Sequence, residues 1–134
     1  MHDFLLKEIT FDNVLEEIKS TGFDSCYAVK AVDKFIYKNF KIFNLSPAQA
    51  NIIKQTALTV GADCATHREV ITGKVEKSSV ILGGSKSQLN KISEKLKFQP
   101  FGLRDLGGII QEKINYESSD KTLIMGILNV TVDS

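Results

Sequence analysis

The chain is short of the features that mark specialised proteins, and each shortage excludes something. It has no excess of charge of either sign: 17 Lys and Arg against 16 Asp and Glu leave a net charge of +1. That balance gives no electrostatic reason to expect a nucleic acid or a membrane surface as partner. No apolar run approaches the roughly 18 residues that would span a bilayer. The start, Met1-His2-Asp3-Phe4-Leu5-Leu6-Lys7, lacks the basic opening and long apolar middle of a signal peptide. The only cysteines, Cys26 and Cys64, form no spaced framework and read as reduced thiols. No period of about 20–50 residues recurs, so a repeat array is excluded. The expectation is a cytoplasmic protein with no nucleic-acid and no membrane partner. What is present is ordinary globular material: 134 residues, 43% hydrophobic and 25% charged, one domain's worth of chain with enough for a core.

Periodicity divides that material into alternating elements. Phe11, Val14, Leu15 and Ile18 fall at i, i+3, i+4 and i+7, the stripe of an amphipathic helix, with Thr10 as N-cap and Gly22 as its left-handed stop. Residues 22–33 carry no clear period. Aromatic and β-branched residues gather in 34–45 and predict a strand near 38–44, with Phe40, Ile42 and Asn44 on one face against Lys41, Phe43 and Leu45 on the other. Ser46-Pro47-Ala48-Gln49 is a capping box with proline at the first helical position. It opens a helix that runs to Val60 with Ala50, Ile53, Ala57 and Val60 inward and Gly61 as its stop. Residues 62–65 return as a short strand, and a second one is expected around 69–72. Val80-Ile81-Leu82 is a short buried strand ended by Gly83-Gly84. Ser85 and Gln88 repeat the capping-box spacing before a helix striped by Leu89, Ile92 and Leu96, which Pro100 breaks. Leu103, Leu106, Ile110 and Ile114 predict a last helix, weakened by Gly107-Gly108 at about 1 kcal/mol each. Residues 115–121 are polar and read as a linker. The fold class is α/β, a small layered domain of alternating short strands and helices over residues 1–120.

The closing segment is different in kind. Leu123-Ile124-Met125-Gly126-Ile127-Leu128 is apolar without alternation, which suits a parallel strand covered on both faces. At Asn129 it changes to small polar residues, Asn129, Thr131, Asp133 and Ser134. A buried parallel strand ending in a polar cluster is how barrel and doubly wound enzymes present chemistry. Met125-Gly126-Ile127-Leu128-Asn129-Val130-Thr131-Val132-Asp133-Ser134 resembles the first strand and first loop of dihydropteroate synthase, where the run reads M-G-(I/V)-(L/I)-N-(V/A)-T-P-D-S and continues F-S-D-G-G. Every position fits except Val132, where the family has proline; losing that fixed φ loosens the loop. A second resemblance lies upstream. Leu45-Ser46-Pro47-Ala48-Gln49-Ala50-Asn51-Ile52-Ile53-Lys54-Gln55, Gly61-Ala62-Asp63 and Ala65 are similar to the amino-terminal extension of a long form of that enzyme. So are Val80-Ile81-Leu82-Gly83 and Phe98-Gln99-Pro100-Phe101-Gly102-Leu103.

The resemblance implies that 121–134 is the first strand and the start of the first loop of a pterin-binding TIM barrel. It implies that Asn129 supplies a side-chain oxygen to the Mg²⁺ that binds the pyrophosphate of the pterin substrate. Mg²⁺ is hard and takes few protein ligands beside phosphate oxygens, and a neutral amide adds a ligand without repelling an anionic substrate. Thr131 and Asp133 would belong to the mobile loop that closes over the reacting centre. Catalytic residues are not assignable from this strand alone.

Other candidates are weaker. Asp63, Cys64 and His67 offer one C-x₂-H with no second pair, a poor zinc signal. Nothing beside Cys64 is evident to activate it as a nucleophile. Gly83-Gly84-Ser85-Lys86-Ser87 lacks the spacing of a phosphate-binding loop and reads as strand end plus helix cap. Lys91, Lys95 and Lys97, balanced by Glu94, form a solvated face.

Two functions from different classes follow. By resemblance the chain is similar to a transferase of folate biosynthesis, in which 4-aminobenzoate displaces pyrophosphate from 6-hydroxymethyl-7,8-dihydropterin pyrophosphate. A TIM barrel needs about 250 residues, so the expectation is that 134 residues holding one barrel strand are inactive alone. A related pterin-binding methyltransferase fits the N-V-T-V-D-S run less well. The alternative is a non-catalytic, stand-alone α/β interaction or regulatory domain. A homo-oligomer stays open under both.

Overall fold

The computed structural model describes residues 3–70 and 72–115. After an irregular arm, a 3₁₀ turn at Phe11–Asn13 leads into α1 (Val14–Ser20), followed by α2 (Ser25–Val32), β1 (Tyr37–Leu45), α3 (Pro47–Thr59), β2 (Asp63–Ala65), β3 (Ser78–Ser85), α4 (Lys86–Leu96) and α5 (Leu103–Asn115). This is the small layered mixed α/β domain expected. The sheet order is β1-β3-β2, with β3 antiparallel to both neighbours. β1 and β2 therefore run the same way on either side of β3, joined by the crossover helix α3.

Helices α3 and α4 pack on one face of this sheet and α5 packs along α4. Between the layers lie Ala50, Ile53 and Ala57 of α3, Val80 and Leu82 of β3, Leu89, Ile92 and Leu96 of α4, and Leu103, Ile110 and Ile114 of α5. The expected inward stripes are borne out, with Val60 and Leu106 half-buried at the margin. Burial of each large aliphatic side chain here contributes about 1.5–3 kcal/mol. The opposite face of the sheet stays open: Tyr37, Phe43 and Ile81 are 56%, 62% and 47% exposed.

Both capping boxes form. Ser46 accepts from the Gln49 N–H while the Gln49 side chain accepts from the Ser46 N–H, and Ser85 and Gln88 do the same. Each glutamine then does more than cap. Gln49 Nε2 donates to the Phe101 carbonyl at 2.8 Å, and Gln88 Nε2 donates to the carbonyls of Val60 and Gly61 at 3.3 and 3.2 Å. The boxes thus pin two distant loops. Gly61, at φ +79°, ends α3 in a Schellman turn, with Ala62 N–H donating to the Ala57 carbonyl and Gly61 N–H to that of Leu58.

Several expectations are corrected. The helix beginning near Phe11 takes Asn13 as its N-cap, without a side-chain cap bond; Thr10 contributes only its carbonyl, to Asn13 N–H. Residues 25–32, read as featureless, form α2, which Asp24 caps by accepting from Cys26 N–H. Leu45 faces the core rather than away from it, because Asn44 adopts φ +58° where the β1–β3 register shifts, and the bulge reverses the alternation. β3 does not stop at Gly83-Gly84 but runs through both to Ser85. The strand expected around 69–72 is absent among the described residues: His67 Nδ1 accepts from Glu69 N–H and the Thr72 hydroxyl donates to the Glu69 carbonyl, local bonds that hold turns instead. No helix among the described residues is long and apolar enough to cross a membrane.

Candidate functional site

The residues with the sharpest assignments, Asn129, Thr131 and Asp133, lie outside the described residues, as does the whole 121–134 segment. The weaker candidates lie inside, and the structure separates them. On β2, Asp63 pairs with Gly83 on the open face of the sheet, whereas Cys64 pairs with Leu82 on the core side. Strand alternation therefore turns their side chains in opposite directions. Burial pushes the Cys64 thiol up from 9.0 to about 11, partly offset by the Lys54 ammonium, so it stays protonated at neutral pH. His67 uses Nδ1 within its own turn. Among the described residues no three His, Cys, Asp or Glu side chains come together as a metal site.

The glycine-serine turn before α4 is closed to an anion. Lys86 N–H donates to the Ile36 carbonyl at 2.8 Å and Ser87 N–H to the Asp33 carbonyl at 3.0 Å, while Gln88 N–H goes to Ser85 Oγ. The helix amides that would cradle a phosphate are all engaged. The Asp33 carboxylate also lies beside the Lys86 ammonium, 3.9 Å away. On the open face the Asn39 amide and the Tyr37 ring fold over Gly83 from β1: a Cβ there would stand 2.5 Å from Asn39 Oδ1 and 2.9 Å from the Tyr37 hydroxyl, side-chain ends that would have to swing away.

One concavity was not expected from the sequence. An open groove of about 490 Å³ lies between α3 and the end of α4, lined on the helix side by Asn51, Gln55 and Thr59 and closed by Lys95 and Phe98. Its sequence signal is the polar spacing of four along α3. Thr56 donates to the Ile52 carbonyl and Thr59 to that of Thr56, while Lys95 Nζ reaches Thr59 Oγ1 at 3.3 Å. Amides, a hydroxyl and an ammonium can hold a polar surface, but they provide no acid–base pair.

The fold defines a mixed α/β domain in which, among the described candidates, Cys64 is half-buried, His67 Nδ1 serves a turn and the α4 amides are engaged. Curated relatives extend that class. A Helicobacter pylori protein named bifunctional dihydropteroate synthase/dihydropteroate reductase is 28% identical over 130 residues, covering 97% of this chain and 34% of the relative. Proteins of Halobacterium salinarum and Haloferax volcanii, both named probable bifunctional folylpolyglutamate synthase/dihydropteroate synthase, are 28% and 27% identical over 64% of this chain. The chain spans about a third of the length of the first relative and 12% and 13% of the other two. No family model matches the chain, and no solved structure does. Coverage of 97% leaves room for only a few unmatched residues, so the first similarity takes in both the layered domain and Asn129.

Proposed function

We propose that this chain is the front of a dihydropteroate synthase-like polypeptide of folate biosynthesis, an α/β domain followed by the first strand of a pterin-binding barrel. The observation that supports the reading is the Helicobacter pylori similarity, which joins the layered domain and the Asn129 segment within one relative. On this reading the substrates are 6-hydroxymethyl-7,8-dihydropterin pyrophosphate and 4-aminobenzoate, and the reaction is displacement of pyrophosphate by the aromatic amine.

On this reading the chemistry lies outside the described domain. Burial keeps the Cys64 thiol protonated, His67 uses Nδ1 within a turn, and the most phosphate-like helix start is filled by carbonyls. Chemistry would begin at Asn129, whose amide oxygen would hold Mg²⁺, with Thr131 and Asp133 assigned to the substrate-binding loop. An amide oxygen is a hard donor, of the class Mg²⁺ selects. When bound, the ion neutralises charge on the pyrophosphate as it leaves. These residues are one strand's share of a site that a barrel builds from several.

A polypeptide of these 134 residues supplied with both substrates and Mg²⁺ is therefore expected to give no dihydropteroate above the uncatalysed background. Product formed at an enzymatic rate would contradict the assignment of the chemistry to residues from several strands. The second reading, a non-catalytic interaction or regulatory domain, draws on the self-contained core of residues 45–114 and on the open face of the sheet.

A further inference from the structure

The open face of the sheet is organised in rows set by strand register. Asn39, Gly83 and Asp63 share one row across β1, β3 and β2, and Lys41, Ile81 and Ala65 share the next. Tyr37 and Phe43 extend the face along β1 in either direction. All of the non-glycine residues among these eight are exposed, so the face is covered by no described element. Its centre is apolar, at Ile81 on the middle strand. Its flanks are oppositely charged, Lys41 on β1 at one side and Asp63 on β2 at the other. β1 itself, Tyr-Lys-Asn-Phe-Lys-Ile-Phe-Asn-Leu, carries no acidic residue.

We infer that this face docks a second copy of the same chain, sheet against sheet, about a two-fold axis parallel to the strands. The charge pattern selects both the occupant and the axis. Rotation about an axis along the strands sets β1 of one copy over β2 of the other. Ile81 then meets Ile81 at the centre, and each Lys41 comes within side-chain reach of the second copy's Asp63. Rotation about an axis across the strands would set β1 on β1, with two lysines and no carboxylate opposed. A patch that complements itself under one two-fold operation is what a closed dimer requires. Nearly aligned strands in facing sheets are a common packing mode. Lys41 now stands over the Phe43 ring at 5.3 Å, an exposed contact that a side-chain rotation exchanges for the ion pair.

The size of the face sets the strength. Three strands about 4.8 Å apart, with about 20 Å of β1 from Tyr37 to Phe43, give a footprint of roughly 300 Å² per copy, well below the roughly 800 Å² per partner of a standard specific interface. The dimer is accordingly weak, with a Kd on the order of 100 μM. This inference stands independently of the folate reading.

The test is sedimentation equilibrium of the full 134-residue chain from about 10 to about 500 μM, at low and high salt. Wild type is expected to dimerise in this range, more weakly at high salt. Ile81→Lys, on an exposed position, is expected to weaken the dimer at least tenfold. Lys41→Asp and Asp63→Lys are each expected to weaken it several-fold, and the double reversal to restore it to within about twofold of wild type. Far-UV circular dichroism and thermal melts check that each variant is folded, and the charge reversals decide the matter if Ile81→Lys is not. A wild-type monomer throughout the range would overturn the inference, leaving the face to another part of a longer polypeptide or to a different protein. A dimer whose double reversal is weaker than either single reversal would overturn it as well.

Discussion

At Gly107 a Cβ would stand 2.7 Å from the Ser93 carbonyl oxygen, whereas at Gly108 it would meet nothing within 4 Å. These two adjacent glycines therefore differ in purpose. Gly107 lets α5 approach α4, and Ser93 Oγ completes the crossing by donating to the Gly107 carbonyl at 2.7 Å. Gly107→Ala is expected to lower stability by about 1–3 kcal/mol, because a backbone oxygen cannot rotate away. Gly108→Ala is expected to raise it by up to about 1 kcal/mol through helix propensity. Urea denaturation of the two variants checks both signs. Cys64 offers a second test at this scale. Its folded pKa is raised, so the thiol's contribution to stability is fully present below pH 9.0 and is lost as pH rises through about 11. Iodoacetamide at neutral pH is expected to label exposed Cys26 well before Cys64, with Cys64 labelling accelerating steeply above pH 9. Equal labelling rates at pH 7 would contradict the burial of that thiol.

The elements rest on caps that reach beyond their own helices. Ser46→Ala and Ser85→Ala are each expected to cost about 1 kcal/mol. Gln88→Ala is expected to cost more than Ser85→Ala, because it also strands the Val60 and Gly61 carbonyls at the end of α3; thermal melts of the pair measure the difference. The elements were legible in sequence where the signal is local. Ser46-Pro47-Ala48-Gln49, the Ser85–Gln88 spacing and Gly61 all report on a single turn of chain, and α3 and α4 followed from them, while α5 followed from the stripe of Leu103, Leu106, Ile110 and Ile114. They were illegible where a distant strand decides. Gly83-Gly84 resembles a strand end, but β1 pairs with both glycines and β2 with Gly83, and the strand continues. The reversal at Leu45 depends on a bulge that β3 imposes through its register. α2 was missed although Asp24, its cap, is itself a local signal, because the eight residues that follow are mostly exposed and lack a buried stripe.

For the molecule as a whole, the layered α/β class was readable from alternating elements, while the antiparallel placement of β3 between β1 and β2 was not. Periodicity gives faces and lengths; strand order is set by which faces meet. The candidate site divides the same way. Asp63, Cys64 and His67 look clustered along the chain, but β2 sends the first two to opposite faces and a turn consumes the third. Asn129, Thr131 and Asp133 were read from a motif, and their assignment rests on that motif. The proposed function requires that the layered domain lead into a pterin-binding barrel. The most direct test is to sequence the coding DNA for about 800 bases beyond codon 134, on the scale a barrel requires, and to translate it in all three frames. F-S-D-G-G is expected directly after Ser134, followed by the remaining strand and helix units of the barrel, in frame or after a shift. A stop codon followed by unrelated sequence in every frame would contradict it and leave the stand-alone domain.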